Sequence, residues 1–366
     1  MYFNFIIFAF SLDDAKMKRY IILVLLVNLF IINVVSGQDD YVASPDTFLV
    51  GFYNVENLFH PSDDSLHADE DFTPTGLYHW SYKKYYRKIS NVAKVLIAMG
   101  EANPPLLMGV AEIENDLVLR DLCYRSPLKK FGYKYIHHES PDRRGIDVAL
   151  LYRKDYVQID TERAVPVVFP FSPQSKNRDV LYVKALIDNT IPLHIFVNHW
   201  TSRYSGYAAT IPKRNYYAQV VRNLVDSILY VDKTANIIIV GDFNDYATDP
   251  SLDEVLHACP IESRHPPDTL YNLMYGFETA SGNVGSHKHE DFWGCLDQII
   301  VSNDLLSNRC GLEIVGKEAH IFNASFLLVP DEKYGGYKTY RTFLGPRYIG
   351  GFADHLPVFV KLTRKR

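Results

Sequence analysis

The apolar positions of this chain fall into short runs that end in polar side chains, and that pattern predicts its elements. The clearest run is Ile237, Ile238, Ile239 and Val240, four β-branched residues in a row, which predicts a strand buried on both faces. Gly241 is read as the turn at its end, and Asp242, Asn244 and Asp245 follow at once. The run at 47–54 delivers Asn54 and then Glu56; the run from Leu106 ends in Glu112 and Glu114. Residues 133–138 and 143–153 predict two further strands, the second entered through Gly145. A hairpin is predicted from 181–188 and 193–198, presenting His199 and Trp200 at its end. Two late strands open on acids, one at Asp297 and the last at Asp354 with His355.

Between these runs the period changes. Tyr85, Ile89, Val92, Ala93, Leu96 and Ile97 recur at helical spacing and Gly100 ends the segment. A second helix is predicted after Pro212, carried by Tyr217, Val220, Val221, Leu224 and Ile228. Residues 61–78, 263–293 and 330–351 are predicted as loops, and loops of that length in a compact domain are commonly functional. Strands and helices interleave from 47 to 362 with no repeat, low-complexity tract or linker, so 38–366 is read as one continuous domain.

The first 37 residues read differently. Met17-Lys18-Arg19, an apolar run over 21–35 and Ser36-Gly37 have the three parts of a secretory signal, with Met17 as the start and cleavage after Gly37. The run is shorter than the ~18 residues of a membrane-spanning helix. The expectation is therefore a secreted or periplasmic monomer with no stable membrane span.

Composition narrows the chemistry. The chain has 366 residues and a net charge of −5, so it carries no global basic field of the kind that binds nucleic acid without regard to sequence. A local basic groove remains compatible with that balance. The four cysteines have no metal-type spacing. What repeats instead is carboxylate, amide and imidazole at the ends of strands, where α/β folds place their ligands. Oxygen donors of this type suit Mg²⁺ or Mn²⁺, and with imidazoles and amides they equip a site for phosphoryl transfer.

The ordered set FYNVENLF, GVAEIEN, RRGIDVALLYR, NHWTSR, VGDFND, LDQIIVS and ADHLPV, spanning 52–358, resembles the endonuclease/exonuclease/phosphatase superfamily, the DNase I-like hydrolases. The resemblance implies a four-layer α/β sandwich, two mixed sheets packed face to face with helices outside. It implies Glu112 as the principal ligand of Mg²⁺ or Mn²⁺, with Asn54 and Asp354 lending further oxygens, and Asp242 as the group that orients or deprotonates water. Asn244 resembles a phosphate-oxygen donor, and His355 a phosphate contact oriented by Asp297. His199 resembles a phosphate contact or leaving-group acid. From the residues alone, Glu56 competes with Glu112, Asp245 reads as structural, and Arg144 and Arg341 are candidate substrate contacts, with Lys338 and Arg347 on the same late loop.

The expected activity is hydrolysis of a phosphodiester or phosphomonoester by direct water attack, with an endonuclease as one form of it. A sugar or inositol phosphatase and a sphingomyelinase-like phosphodiesterase are the alternatives. The reading from another class is a binding protein on the same scaffold; the full set of Glu112, Asp242, Asn244 and His355 speaks against it, since a binder has no physical need for them.

Overall fold

A computed structural model describes residues 46–62, 67–261, 268–277, 285–307 and 310–364. The predicted signal segment 1–37 lies outside the described residues. Four strands come first: β1 (Thr47–Leu58), β2 (Leu107–Ile113), β3 (Tyr133–His137) and β4 (Asp147–Arg153). Then come β5 (Val157–Val165), β6 (Val180–Ile187), β7 (Ile191–His199), β8 (Ile237–Asp242), β9 (Ala258–Cys259) and β10 (Leu270–Asn272). A hairpin of β11 (His287–His289) and β12 (Phe292–Gly294) leads to β13 (Asp297–Ser302) and β14 (Leu312–Ile321). Two short pairs, β15 (Leu328–Pro330) with β16 (Tyr337–Thr339) and β17 (Phe343–Leu344) with β18 (Arg347–Tyr348), precede β19 (Val358–Arg364). The two long helices are α1 (Tyr82–Met99) and α2 (Tyr207–Val231).

The strands form a six-stranded sheet, β14-β19-β1-β2-β4-β3, and a seven-stranded sheet, β5-β6-β7-β8-β13-β10-β9. Each is mixed, with a central parallel pair, β1 with β2 in one and β7 with β8 in the other. Alternation along each strand sends side chains to opposite faces. Ile238 and Val240 enter the core between the sheets with Phe52, Val197, Ile299 and Val360. Ile237 and Ile239 face the other way, against Tyr217, Val221 and Val225 of α2. On the far side, Ile89, Val92 and Leu96 of α1 cover Tyr53, Val110 and Leu151 of the first sheet. The architecture is the four-layer α/β sandwich, helix on sheet on sheet on helix. Among the described residues no helix is long and apolar enough to cross a membrane.

Several local readings are corrected. Gly241 does not turn the chain but continues β8, where a Cβ would lie 2.4 Å from the Asn198 carbonyl oxygen of β7. The glycine is there for close approach of two backbones. Helix α2 begins at Tyr207, with Pro212 inside it. Thr210 Oγ1 donates to the Gly206 and Tyr207 carbonyls and supplies hydrogen bonds at that end. The loops expected at 263–293 and 330–351 contain β10, β11 and β12, and β16, β17 and β18. Pairs of two or three residues are too short to show a period.

Because Ile238 is fully buried between the sheets, Ile238→Ala should cost about 2–5 kcal/mol of stability. A denaturant melt followed by circular dichroism checks this, and a midpoint unchanged from the parent would contradict the assigned core.

Candidate active site

Strand register brings the polar ends together. His199 at the end of β7 lies opposite Asp242 at the end of β8, and Asp242 lies opposite Asp297 at the start of β13. Three neighbouring strands thus set an imidazole and two carboxylates side by side on one edge. In the other sheet, Asn54 of β1 lies opposite Ala111 of β2, immediately before Glu112. β19 runs antiparallel to β1, so Asp354 and His355, which precede it, arrive at the same end.

Two hydrogen bonds close the sheets over the site. Asn54 Nδ2 donates to Asp242 Oδ2 at 3.1 Å, and His355 Nδ1 lies 2.7 Å from Asp297 Oδ2. Asp242 accepts from the Asn244 backbone N–H at 3.0 Å, and Asn244 Nδ2 donates to the Trp200 carbonyl at 3.2 Å. His199 Nε2 and His355 Nε2 stand 3.7 and 3.8 Å from the same Asp242 Oδ2.

The rim is made by backbone that leaves the pleat. Glu112 is an extra residue between Ala111 and Ile113 in the β2–β4 ladder, and the β1–β2 register shifts between Asn54 and Leu58. Glu56, Asn57, Glu112 and Asn244 all adopt left-handed backbone, with φ of 55°, 49°, 62° and 51°. Non-glycine residues in that region cost of order 1–3 kcal/mol each, and such conformations cluster at functional sites. The bulge re-aims Glu112, whose side chain a regular pleat would have turned toward the helix layer.

Burial sets the charges. It pushes the Asp242 carboxyl up to about 7; nearby Asp297 adds to this, while His355 and the Asn244 and Asn54 hydrogen bonds oppose it. Burial also disfavours charge on His355, but the Asp297 and Asp242 carboxylates outweigh it and hold the imidazole well above its ordinary range. His199 goes the opposite way. Burial, then the Arg178, Arg144 and His355 charges, keep it neutral, and its Nδ1 has no hydrogen-bond partner among the described residues. One edge therefore carries a cationic imidazole, a neutral one, and a carboxyl that titrates near neutrality.

A second cluster stands beside the first. Arg341 Nε and Nη2 reach Glu56 Oε1 and Asp354 Oδ2, each at 2.9 Å. Glu56 also accepts from the Thr342 N–H at 2.7 Å and lies 3.7 Å from Lys88 of α1. Burial and Asp354 push Glu56 up against these partners, whereas Arg341 and the nearby imidazoles overcome burial at Asp354 and hold it down to about 2. Glu112 faces the same charges, acting on both Lys88 and Arg341, and its Oε2 accepts from the Asn57 N–H at 2.7 Å.

This cluster fits a hard divalent cation. Three carboxylates, Glu56, Glu112 and Asp354, face two side-chain cations, and the Arg341 guanidinium already stands as a positive charge between two of them. Among the described residues, Asp354 groups with His287 and His355, and Asp242 with Asp297 and His355, at ligand-atom separations within 4.8 Å. The carboxylates of Glu56, Glu112 and Asp354 are hard oxygen donors of the kind such an ion takes. Glu112 lies outside both groups.

The structure thus joins Asn54, His199, Asp242, Asn244, Asp297, Asp354, His355 and Arg341 through direct contacts. Glu112 and Arg144 meet through Asn57, whose Oδ1 accepts from Arg144 Nη2. Arg341 is occupied with carboxylates, and Lys338 lies 3.3 Å from Asp331, away from this cluster. Asp245 is structural: it takes Arg214 of α2 at 2.7 Å and Ser251 Oγ at 2.6 Å. Sequence reasoning missed Asn57 and Lys88. The first lies inside the FYNVENLF motif, but Lys88 sits in a helix stripe with nothing to distinguish it from a surface lysine. The His287 ring also packs against this site, 4.7 Å from that of His355.

Comparison with known proteins bears on the fold. A search of curated proteins found no match. Among solved structures, a Bacteroides thetaiotaomicron mannosyl-6-phosphatase is 18% identical, with a TM-score of 0.53 over 86% of this chain and 99% of that one. The human Nocturnin catalytic domain is 12% identical, with a TM-score of 0.51 over 89% and 97%. D. rerio TDP2, solved with a single-strand DNA product, is 12% identical, with a TM-score of 0.52 over 87% and 100%. At these identities the likeness is one of fold. The Endonuclease/Exonuclease/phosphatase family matches residues 49–364, nearly the whole of the described fold, and the chain belongs to that family.

Proposed function

We propose that the chain is an exported, Mg²⁺- or Mn²⁺-dependent hydrolase of phosphate esters that works by direct attack of water. The observation that carries this reading is the Asp242 carboxyl, buried, raised to about 7 and held between Asn54, His199 and the His355–Asp297 pair. A base that titrates near neutrality is well matched to taking a proton from water. Cationic His355, aimed by Asp297, donates toward a phosphoryl oxygen, and the second amide hydrogen of Asn244 is suited to another. Neutral His199 fits a contact to the phosphoryl group and not an acid, since burial keeps its proton affinity low. Glu112, Asp354 and the Asn54 carbonyl would hold the metal ion, which supplies charge neutralisation for the phosphate. The names of the structural neighbours, a sugar phosphatase and a protein holding a DNA product, support both monoesters and diesters as candidates.

The purified chain with Mg²⁺ or Mn²⁺ is expected to turn over at least one of plasmid DNA, RNA, sphingomyelin and a phosphomonoester panel, and EDTA to abolish it. Asp242→Ala and His355→Ala should each lower kcat by about 10²–10⁴-fold. Undiminished rates in the variants would remove these residues from the mechanism, and no turnover on any substrate would favour a binding protein.

The pairing of His355 is testable without substrate. In Asp297→Asn the imidazole loses its nearest anion, so its pKa should fall from well above toward the ordinary 6.5. Histidine NMR titration reads this directly. An unmoved titration would show that Asp297 does not hold the charge.

A further inference from the structure

One part of the site's wall is not used by the chemistry above. The β11–β12 hairpin pairs His287 with Gly294 and His289 with Phe292 across a two-residue turn. Side chains alternate along each strand, so His287, His289, Phe292 and the missing side chain of Gly294 share one face. That face looks toward the catalytic edge. His287 makes a backbone bridge with His355 and packs its ring 4.7 Å away. At the Gly294 end, a Cβ would lie 2.6 Å from Cε1 of the Tyr246 ring, so the glycine lets the hairpin press directly onto Tyr246.

The opposite face is anchored. Trp293 packs into the cluster under the first sheet's outer face, and Lys288 Nζ meets Asp331 at 2.9 Å. Tyr334 Oη donates to Glu290 at the turn, at 3.2 Å. Tyr246 follows Asn244 by two residues, its ring under the Arg203 guanidinium at 4.3 Å. Phe292 meets Tyr246 edge to face at 6.0 Å and leaves 46% of its surface in solvent. Phe292 is an apolar ring left half in solvent on a braced hairpin, two pair positions beyond the His287–Gly294 pair, whose His287 touches His355.

We infer that Phe292 and Tyr246 form a subsite that takes the leaving group of the ester by stacking on a ring. The inference rests on the phosphate-ester reading of the same site. The recognised feature is a flat or CH-lined ring face, supplied by a nucleobase or a cyclic sugar; an acyclic alcohol has no such face. Exposed His289, on the same side, offers ring nitrogens to polar groups on that ring.

The test uses the full chain with Mg²⁺, and a nucleoside monophosphate, a cyclic sugar phosphate and glycerol 3-phosphate as probes, followed by titration calorimetry and by kcat/KM. At least one ring-bearing ester should be preferred over glycerol phosphate by about tenfold, the scale of one stacking contact. Phe292→Ala should remove most of that ratio through Kd and KM, and Phe292→Tyr should retain it. The ring whose preference depends on Phe292 identifies the source. No ring preference in the parent, a preference that survives Phe292→Ala, or no binding of any probe would each overturn the subsite. Ring-selective binding without turnover would support the subsite and remove the hydrolase reading; turnover without ring preference would do the reverse.

Discussion

The site depends on keeping a carboxyl group, Asp242, out of water without letting it become inert. Burial alone would hold it protonated; the His355 charge and the hydrogen bonds from Asn54 and Asn244 pull it back toward neutrality. Those partners come from both sheets. Asn54 and His355 belong to the six-stranded sheet and its entry, Asp297 and Asn244 to the seven-stranded one. The sandwich must therefore be packed before the carboxyl acquires its environment. The core between the sheets and the chemistry at their edge are consequences of one register.

A comparable balance operates one layer away. Lys88 is fully buried, and a lysine there loses its hydration, which burial alone would answer by deprotonation. Glu56, Asp354 and Glu112 supply the opposing charge, and Thr342 Oγ1 and the Phe352 carbonyl accept its hydrogen bonds. This lysine ties α1 to the segment that carries Arg341, and Arg341 in turn joins Glu56 to Asp354. Removing one member of such a set leaves a buried charge without its partner, which is more damaging than never having built the pair. The position of Asp354 is thus fixed from the helix layer as well as from β19.

Much of this was legible in the chain. Runs such as 237–240 followed by acid and amide gave both the strands and the residues at their ends, because a buried parallel strand must be apolar throughout and its end is where polarity begins. The sandwich followed from the family resemblance that those ordered motifs carry. What stayed hidden has a physical cause in each case. The left-handed Glu112 and Asn57 depend on a bulge, which is set by pairing with a distant strand and leaves no local mark. Asp245 reads as structural from its position, but what holds it, Arg214 reaching from α2, is a contact across 31 residues of sequence. Strands of two or three residues such as β12 and β17 carry too few positions for alternation to be seen.

The acidic balance of the chain is reconciled with an anionic substrate by the scale over which charge acts. At physiological ionic strength screening sets in beyond about 8 Å, so a net charge of −5 spread over the surface matters less than the groups at the edge itself. There, Arg144, Arg341 and the His355 imidazolium lie around a carboxyl that is only partly ionised. Arg178, whose Nε donates to the His199 carbonyl at 2.9 Å, adds a further buried charge behind that imidazole. An anion arriving at this edge meets local cations, Arg144 held by the Asn57 amide oxygen and Arg341 and His355 by carboxylates, and the Asp354 carboxylate beside Arg341 also fits the metal ion that would balance the phosphate. Affinity without a basic surface favours a small, local contact over a long polyanion track. On the proposed function, what lines the rim next to His355, and not the charge of the whole molecule, would select the ester.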